Sequence, residues 1–318
     1  MIQTQWVVER LRQQWPSLDV TIEQIRTTGD RVTQVPLSQI GGDGVFVLEI
    51  ERALQEHRID LAVHSLKDLP TLQPDGLRLL VVGPREDVRD VLITNTALHL
   101  HQDELQAMYR ETKASLRIGT SSLRRTAQLH EFYPHADIHS IRGNVDTRLR
   151  KLDAGEYDAI VLAAAGLHRL HLQEGLGSRM TYLPAEVMMP APGQGALALE
   201  IRDEPELCDL LAPLQDTKVQ AETSAERMFM RRLGAGCYLP VAAHGTIVDE
   251  IFMVRGLVIS LDGQRRIAVQ QSIAWTTETT HAHAEQLGVS LAEEALAQGA
   301  YAIVHEIDAI REQEQLHV

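Results

Sequence analysis

Ala62-Val63-His64-Ser65-Leu66-Lys67-Asp68-Leu69-Pro70 is the stretch that decides how this chain folds. Its approach, Asp60 to Val63, is apolar without alternation and follows an amphipathic helix with Phe46, Ile50, Ala53, Leu54 and His57 on one face. That is the pattern of a buried strand in an α/β sheet. Open α/β sheets take ligands in the crevice beyond the carboxyl ends of their strands, where His64, Ser65, Lys67 and Asp68 fall. Taken alone, the stretch favours a polar turn in which Asp68 accepts local backbone N–H groups and Lys67 points into water.

The chain is 318 residues long, too long for one ordinary core, so two or three domains are expected. Hydrophobic residues at 44% and charged residues at 23% describe a soluble globular protein. A formal charge of -14 argues against a nucleic-acid partner, which needs a broad basic surface, but leaves room for local basic pockets. The longest apolar runs, such as Ala159 to Leu167, are shorter than a membrane span, and Met1-Ile2-Gln3-Thr4-Gln5-Trp6 lacks the features of a secretory signal. The expectation is a cytoplasmic protein without a membrane partner. Cys208 and Cys237 give neither a disulfide framework nor metal-ligand spacing, so no metal is expected. Cys208 sits in a predicted helix as packing, whereas Cys237 lies in the tight loop Gly234-Ala235-Gly236-Cys237-Tyr238-Leu239-Pro240.

Upstream of the opening stretch, Val7, Leu11 and Trp15 recur at helical spacing and Pro16 stops that helix. Leu18, Val20 and Ile22 then alternate as a strand, and residues 27–44 form a loop ending in Gly41-Gly42-Asp43-Gly44. Downstream, Leu77–Val82 and Asp90–Thr94 are predicted strands joined by Gly83-Pro84-Arg85-Glu86-Asp87, a polar joint that suits a crossing between domains. Residues 97–116 have the pattern of a surface helix, with His99 and His101 solvated on different faces.

From Arg117 the pattern is βαβαβ: a short strand, a helix from Ser121 or Ser122, a strand at 137–141, a helix from Asn144 and a strand at 158–163. Both helix starts carry hydroxyl or amide caps and arginines: Thr120-Ser121-Ser122-Leu123-Arg124-Arg125, then Arg142-Gly143-Asn144-Val145-Asp146-Thr147-Arg148. Free N–H groups and the helix dipole favour an anion there. The same dipole disfavours arginine, so Arg124, Arg125, Arg142 and Arg148 need a role, and bidentate recognition of carboxylates supplies one. Two such clusters in consecutive βα units predict a polyanion pocket.

Met188-Met189-Pro190-Ala191-Pro192-Gly193-Gln194-Gly195 leads into an apolar strand, 196–201, and suits a hinge returning the chain to its first domain. After Pro213 come a helix at 219–233, the Cys237 loop, strands at 241–247, 251–260 and 267–275, and helices near 281–298 and 301–313. Three strands followed by helices predict a small α+β domain with an antiparallel sheet.

In order and spacing over nearly the whole chain, these motifs resemble the hydroxymethylbilane synthase, or porphobilinogen deaminase, family. The resemblance is carried by His64-Ser65-Leu66-Lys67-Asp68-Leu69-Pro70, Gly119-Thr120-Ser121-Ser122-Leu123-Arg124-Arg125, Arg142-Gly143-Asn144-Val145-Asp146-Thr147-Arg148, Pro192-Gly193-Gln194-Gly195-Ala196 and Gly236-Cys237. It implies an α/β fold of two doubly wound lobes like those of periplasmic binding proteins, plus a small α+β C-terminal domain. The implied domains are 1–86 with 195–214, carrying Asp68; 87–194, rich in arginine; and 215–318, carrying Cys237.

The implied activity is the head-to-tail condensation of four porphobilinogen molecules with loss of ammonia, followed by hydrolytic release of hydroxymethylbilane, in tetrapyrrole biosynthesis. The chain grows on a dipyrromethane cofactor held through a thioether, for which Cys237 is the matching residue. Asp68 matches the catalytic aspartate. Loss of ammonia requires proton donation to an amine and leaves a cationic azafulvene that a nearby carboxylate stabilises. By the same match Ser65, Lys67, Ser121, Ser122, Arg124, Arg125, Arg142 and Arg148 bind the acetates and propionates of the cofactor. Arg142, Arg148, Gln194 and His64 are the expected substrate contacts, and a monomer is implied. The family's opening strand is expected before the helix at which this chain starts, and Thr28, Asp43 and Leu48 stand where the family often has basic residues. The competing reading is an inactive or weakly active paralogue, or a small-anion binding protein of the same bilobal fold.

Overall fold

The computed structural model describes residues 1–25, 47–95, 116–234 and 239–316. Its strands are β1 (Leu61–Ser65), β2 (Leu77–Val82), β3 (Asp90–Thr94), β4 (Arg117–Gly119), β5 (Asp137–His139), β6 (Ala159–Ala163), β7 (Met180–Leu183), β8 (Leu197–Arg202), β9 (Val241–Val248), β10 (Ile251–Ile259) and β11 (Arg266–Ala274). They form three sheets of order β1-β8-β2, β5-β4-β6-β3-β7 and β11-β10-β9.

The chain crosses between the first two sheets twice, at the polar joint 83–89 and along 184–196. Each crossing delivers one strand against the grain of its new sheet. β3 pairs antiparallel with both β6 and β7, and β8 pairs antiparallel with both β1 and β2. Only β4 pairs in parallel, with β5 and β6. β3 and β8 are buried along their whole length, which is why neither alternates, and their polar residues Asp90, Thr94, Glu200 and Arg202 are buried with the rest.

Leu197, Leu199 and Ile201 pack with Val7 and Leu11 of the helix Ile2–Gln14, while Ala198 joins Val47, Leu66 and Leu69 on the other face of β8. In the second sheet Val91, Ile93, Ile160 and Leu162 share a core with Ile141 and Leu152. The third sheet carries the helices Thr217–Arg232 and His281–Ala297. Asp216 caps the first by accepting from Lys218 and Val219 N–H groups, and Thr280 with His283 forms a capping box on the second. The helices touch where Gly288 lies on the carbonyl of Ala225, an approach that leaves no room for a Cβ. The fold is thus mixed α/β with a small C-terminal α+β unit.

One predicted element is absent. Residues 18–25 form no strand. Leu18 packs beneath the first helix instead, because alternation makes a strand only where a neighbouring edge completes the ladder. The predicted loop at 27–44, with Thr28 and Asp43, and the predicted helix at 97–116 lie outside the described residues. Leu48 is exposed at the start of the helix Leu48–Gln55.

Candidate active site

Where β1 ends, Leu66–Asp68 turn through one 3₁₀ unit, fixed by the Leu66 N–H bonding to the Ala196 carbonyl at 3.1 Å. That turn faces the helices Val145–Asp153 and Ala164–Arg169 of the second sheet across a cavity of about 590 Å³. Its charged wall comprises Lys67, Asp68, Arg125, Arg148 and Arg169, with Gln3, Ser65, Asn144 and the backbone of 194–196. Four cations thus surround one carboxylate in a chain whose net charge is -14.

Helix starts position the second-lobe residues. Ser122 caps Leu123–Phe132 and Asn144 caps Val145–Asp153, accepting from the Thr147 N–H at 2.9 Å. Arg148 folds back to donate to the Gly143 carbonyl at 2.8 Å, and Arg169 donates to the Gly195 carbonyl at 2.6 Å. Burial pulls the pKa of both guanidiniums down; Arg125 adds to the effect at Arg148, and Glu86 opposes it at Arg169. Asp68 is exposed to the cleft and near enough to Arg148 to favour its charged form. Lys67 is pulled down by burial, with Asp68 acting against that.

Behind the wall lies a buried node. Asp90 accepts from Arg124 and Arg125, each at 2.8 Å, and from Gln194 Nε2 at 2.9 Å. Gln194 also donates to the Val88 carbonyl at 2.6 Å and accepts from Lys67 Nζ at 3.3 Å. Arg125 further donates to the Val161 carbonyl, yet its buried Nε has no hydrogen-bond partner.

This arrangement places several of the expected ligand contacts away from the cavity wall. His64 is buried on the face of β1 opposite Ser65, with Nε2 3.0 Å from Glu200 Oε2, so it is not a cleft residue. Strand alternation makes that inevitable once Ser65 faces the cavity. Arg124 donates to Asp90 and the Met189 carbonyl through its terminal nitrogens, its buried Nε has no hydrogen-bond partner, and it does not line the cavity. Gln194 reaches the wall, but both ends of its amide are occupied as described. Ser121 bonds the Ile141 backbone, Ser122 caps its helix, and Arg142 stands off the wall, which passes through Gly143 and Asn144. Ser65, Lys67, Asp68, Arg125 and Arg148 do line it. Cys237 is outside the described residues, as are its neighbours Ala235, Gly236 and Tyr238.

Sequence reasoning missed Arg169, Asp90 and Arg227. Arg169 carried a signal, since it ends a short helix directly after β6, at the mouth of an α/β strand. Arg227, on the helix Thr217–Arg232, donates to the carbonyls of Leu69 at 3.1 Å and Pro70 at 2.6 Å. It fastens that helix to the Lys67-Asp68 turn, and nothing in its sequence context marks it.

A family model described as porphobilinogen deaminase, dipyromethane cofactor binding domain, matches residues 1–209, and one described as porphobilinogen deaminase, C-terminal domain, matches residues 220–297. A protein named porphobilinogen deaminase from Syntrophotalea carbinolica is 44% identical over 307 residues, covering 96% of this chain and 92% of that protein. Another of the same name from Acidithiobacillus ferrooxidans is 45% identical over 294 residues, covering 92% and 89%. Among solved structures, an ancestral cationic amino acid solute binding protein aligns with a TM-score of 0.38 and 16% identity over 65% of this chain and 76% of that one, a likeness too loose to argue from.

Proposed function

This chain belongs to the porphobilinogen deaminase family, and on that premise we propose that the cleft between its first two sheets is the reaction centre, with Asp68 as acid–base residue. The chain is a transferase that makes hydroxymethylbilane from porphobilinogen, in tetrapyrrole biosynthesis, with a dipyrromethane cofactor. The observation that carries the site assignment is the wall itself: one exposed carboxylate among Lys67, Arg125, Arg148 and Arg169.

The donor set fits the cofactor. Dipyrromethane carries acetate and propionate groups, and the cavity offers guanidinium and ammonium donors, including the unpartnered Nε of buried Arg125. Lys67, Ser65, Arg125 and Arg148 would hold it, and Cys237 would bind it covalently. When bound, it supplies the pyrrole carbon on which substrate units are joined. Asp68 is exposed where a substrate amine enters, so it can give that amine a proton as ammonia leaves, then stand as a carboxylate beside the cationic carbon left behind. Arg148 and Arg169 orient the substrate carboxylates from the opposite lobe. The overall negative charge keeps this pull local to the cleft.

The same proposal divides the chain into 1–86 with 195–214, 87–194, and 215–318, supported by the two crossings and the three sheets. It also takes the enzyme to be a cytoplasmic monomer that binds neither nucleic acid nor membrane. In support, no helix among the described residues is long and apolar enough to cross a membrane.

Intact-mass spectrometry tests the anchor. Purified protein should carry an adduct of dipyrromethane mass that disappears in Cys237→Ala. Folded, unmodified wild-type protein would overturn the assignment.

A further inference from the structure

We propose that Asp90 is a positioning residue for the reaction: by holding the amide N–H of Gln194 it turns the amide carbonyl toward Lys67, keeping that side chain as an ammonium on the cleft wall beside Asp68. The inference rests on the Lys67-Asp68 turn being the reaction centre.

Asp90 opens β3 immediately after the first crossing and is fully buried. Gln194, 104 positions later on the second crossing, is fully buried too. The two crossings therefore meet through these side chains. The amide has a chemical reason for its orientation. Its NH₂ faces two acceptors, the Val88 carbonyl at 2.6 Å and Asp90 Oδ1 at 2.9 Å. Turning it over would place a carbonyl against both, with no donor left to satisfy either. The oxygen is thus committed to the other side, where Lys67 Nζ lies 3.3 Å away.

The charges around Lys67 make this acceptor matter. Burial favours the neutral amine, as do Arg125 and Arg124 on the helix Leu123–Phe132, while Asp68 on its own turn and Asp90 on β3 favour the ammonium. Arg227, from the helix Thr217–Arg232, holds the carbonyls of the turn and adds another cation nearby. Asp90 itself is shared with two arginines. The Gln194 side-chain carbonyl accepts directly from Nζ and so favours the charged form.

Two substitutions at Gln194 separate this role from simple packing. Gln194→Met removes the acceptor, so Lys67 should lose its proton at lower pH. Gln194→Glu places an anion opposite Nζ, so Lys67 should keep its proton to higher pH. In full-length holoenzyme at alkaline pH, Gln194→Met is expected to lower kcat about ten-fold while KM for porphobilinogen stays within about two-fold. The alkaline limb of kcat should move down in pH for Gln194→Met and up for Gln194→Glu. The ¹⁵N signal of Lys67 Nζ, assigned through Lys67→Arg, should titrate with the same two signs whether or not the sample turns over. Superimposable titrations, or shifts of one sign in both variants, would overturn the proposal. A wild-type enzyme that does not consume porphobilinogen would instead sink the functional reading, and the lysine titration would still report on the hinge amide.

Discussion

Arg85 and Glu226 face one another through two N–H···O bonds, 2.9 and 3.0 Å long, and they tie the first crossing of the chain to the helix Thr217–Arg232. Glu226 is fully buried and also accepts from the N–H groups of Gly193 and Gly245, each at 2.7 Å. Arg85 donates in turn to the backbone carbonyl of Gln194 at 3.0 Å. One carboxylate therefore joins both crossings to the third sheet. Gly195 completes the joint: its φ of +87° and its closeness to the Glu86 carbonyl exclude any side chain.

Breaking this pair from one side leaves a buried charge without its partner. Arg85→Met should cost about 3 kcal/mol, read as a lower urea midpoint at unchanged slope. Arg85→Met with Glu226→Leu should cost less than the sum of the single changes, because the stranded carboxylate is gone. Additive losses would show that the pair is not coupled.

His64 is expected to matter for stability rather than for substrate. It lies against Glu200 in a cluster with Glu51, whose carboxyl is pushed up by burial and then by Glu200, with His64 opposing. His64→Gln should lower the thermal midpoint and leave KM for porphobilinogen unchanged. A raised KM at unchanged stability would return His64 to the substrate.

His244 gives the fold a pH dependence. Burial holds its pKa down at about 4, against the influence of Glu226. The unfolded chain takes up this proton near the ordinary histidine value of ~6.5, before the folded protein does. Stability from this group is therefore full above that value and declines as pH falls toward 4, by on the order of 2 kcal/mol. Urea unfolding between pH 7 and 4.5 should show a steeper loss for wild type than for His244→Asn. Parallel curves would contradict it.

Asp68 and Arg169 should separate chemistry from binding. Asp68→Asn is expected to reduce kcat by at least about 100-fold with an unchanged circular dichroism spectrum. Arg169→Ala removes one charged donor from the wall, so KM should rise about ten-fold with a smaller change in kcat. Near-normal turnover by Asp68→Asn would refute its role.

Much of this was legible in order along the chain. The unalternating runs at 90–94 and 197–202 announced the central strands, the caps at Ser122 and Asn144 announced the helix starts, and the proline–glycine joints announced the crossings. What misled was the assumption that a polar side chain in a motif faces the ligand. His64, Arg124 and Gln194 sit in the right segments and are turned inward. The segment 18–25 misled for a related reason, since a strand needs a second strand.

Sequence alone determined the fold class and the family, and it marked Asp68 and the arginines as candidates, because residue types at fixed local spacing report propensity, capping and charge. Tertiary structure decided which of those charges reach the cleft. Asp90 meets Gln194 across 104 positions and Arg85 meets Glu226 across 141. A buried charge must find a partner wherever the fold brings one, and no local pattern records that choice.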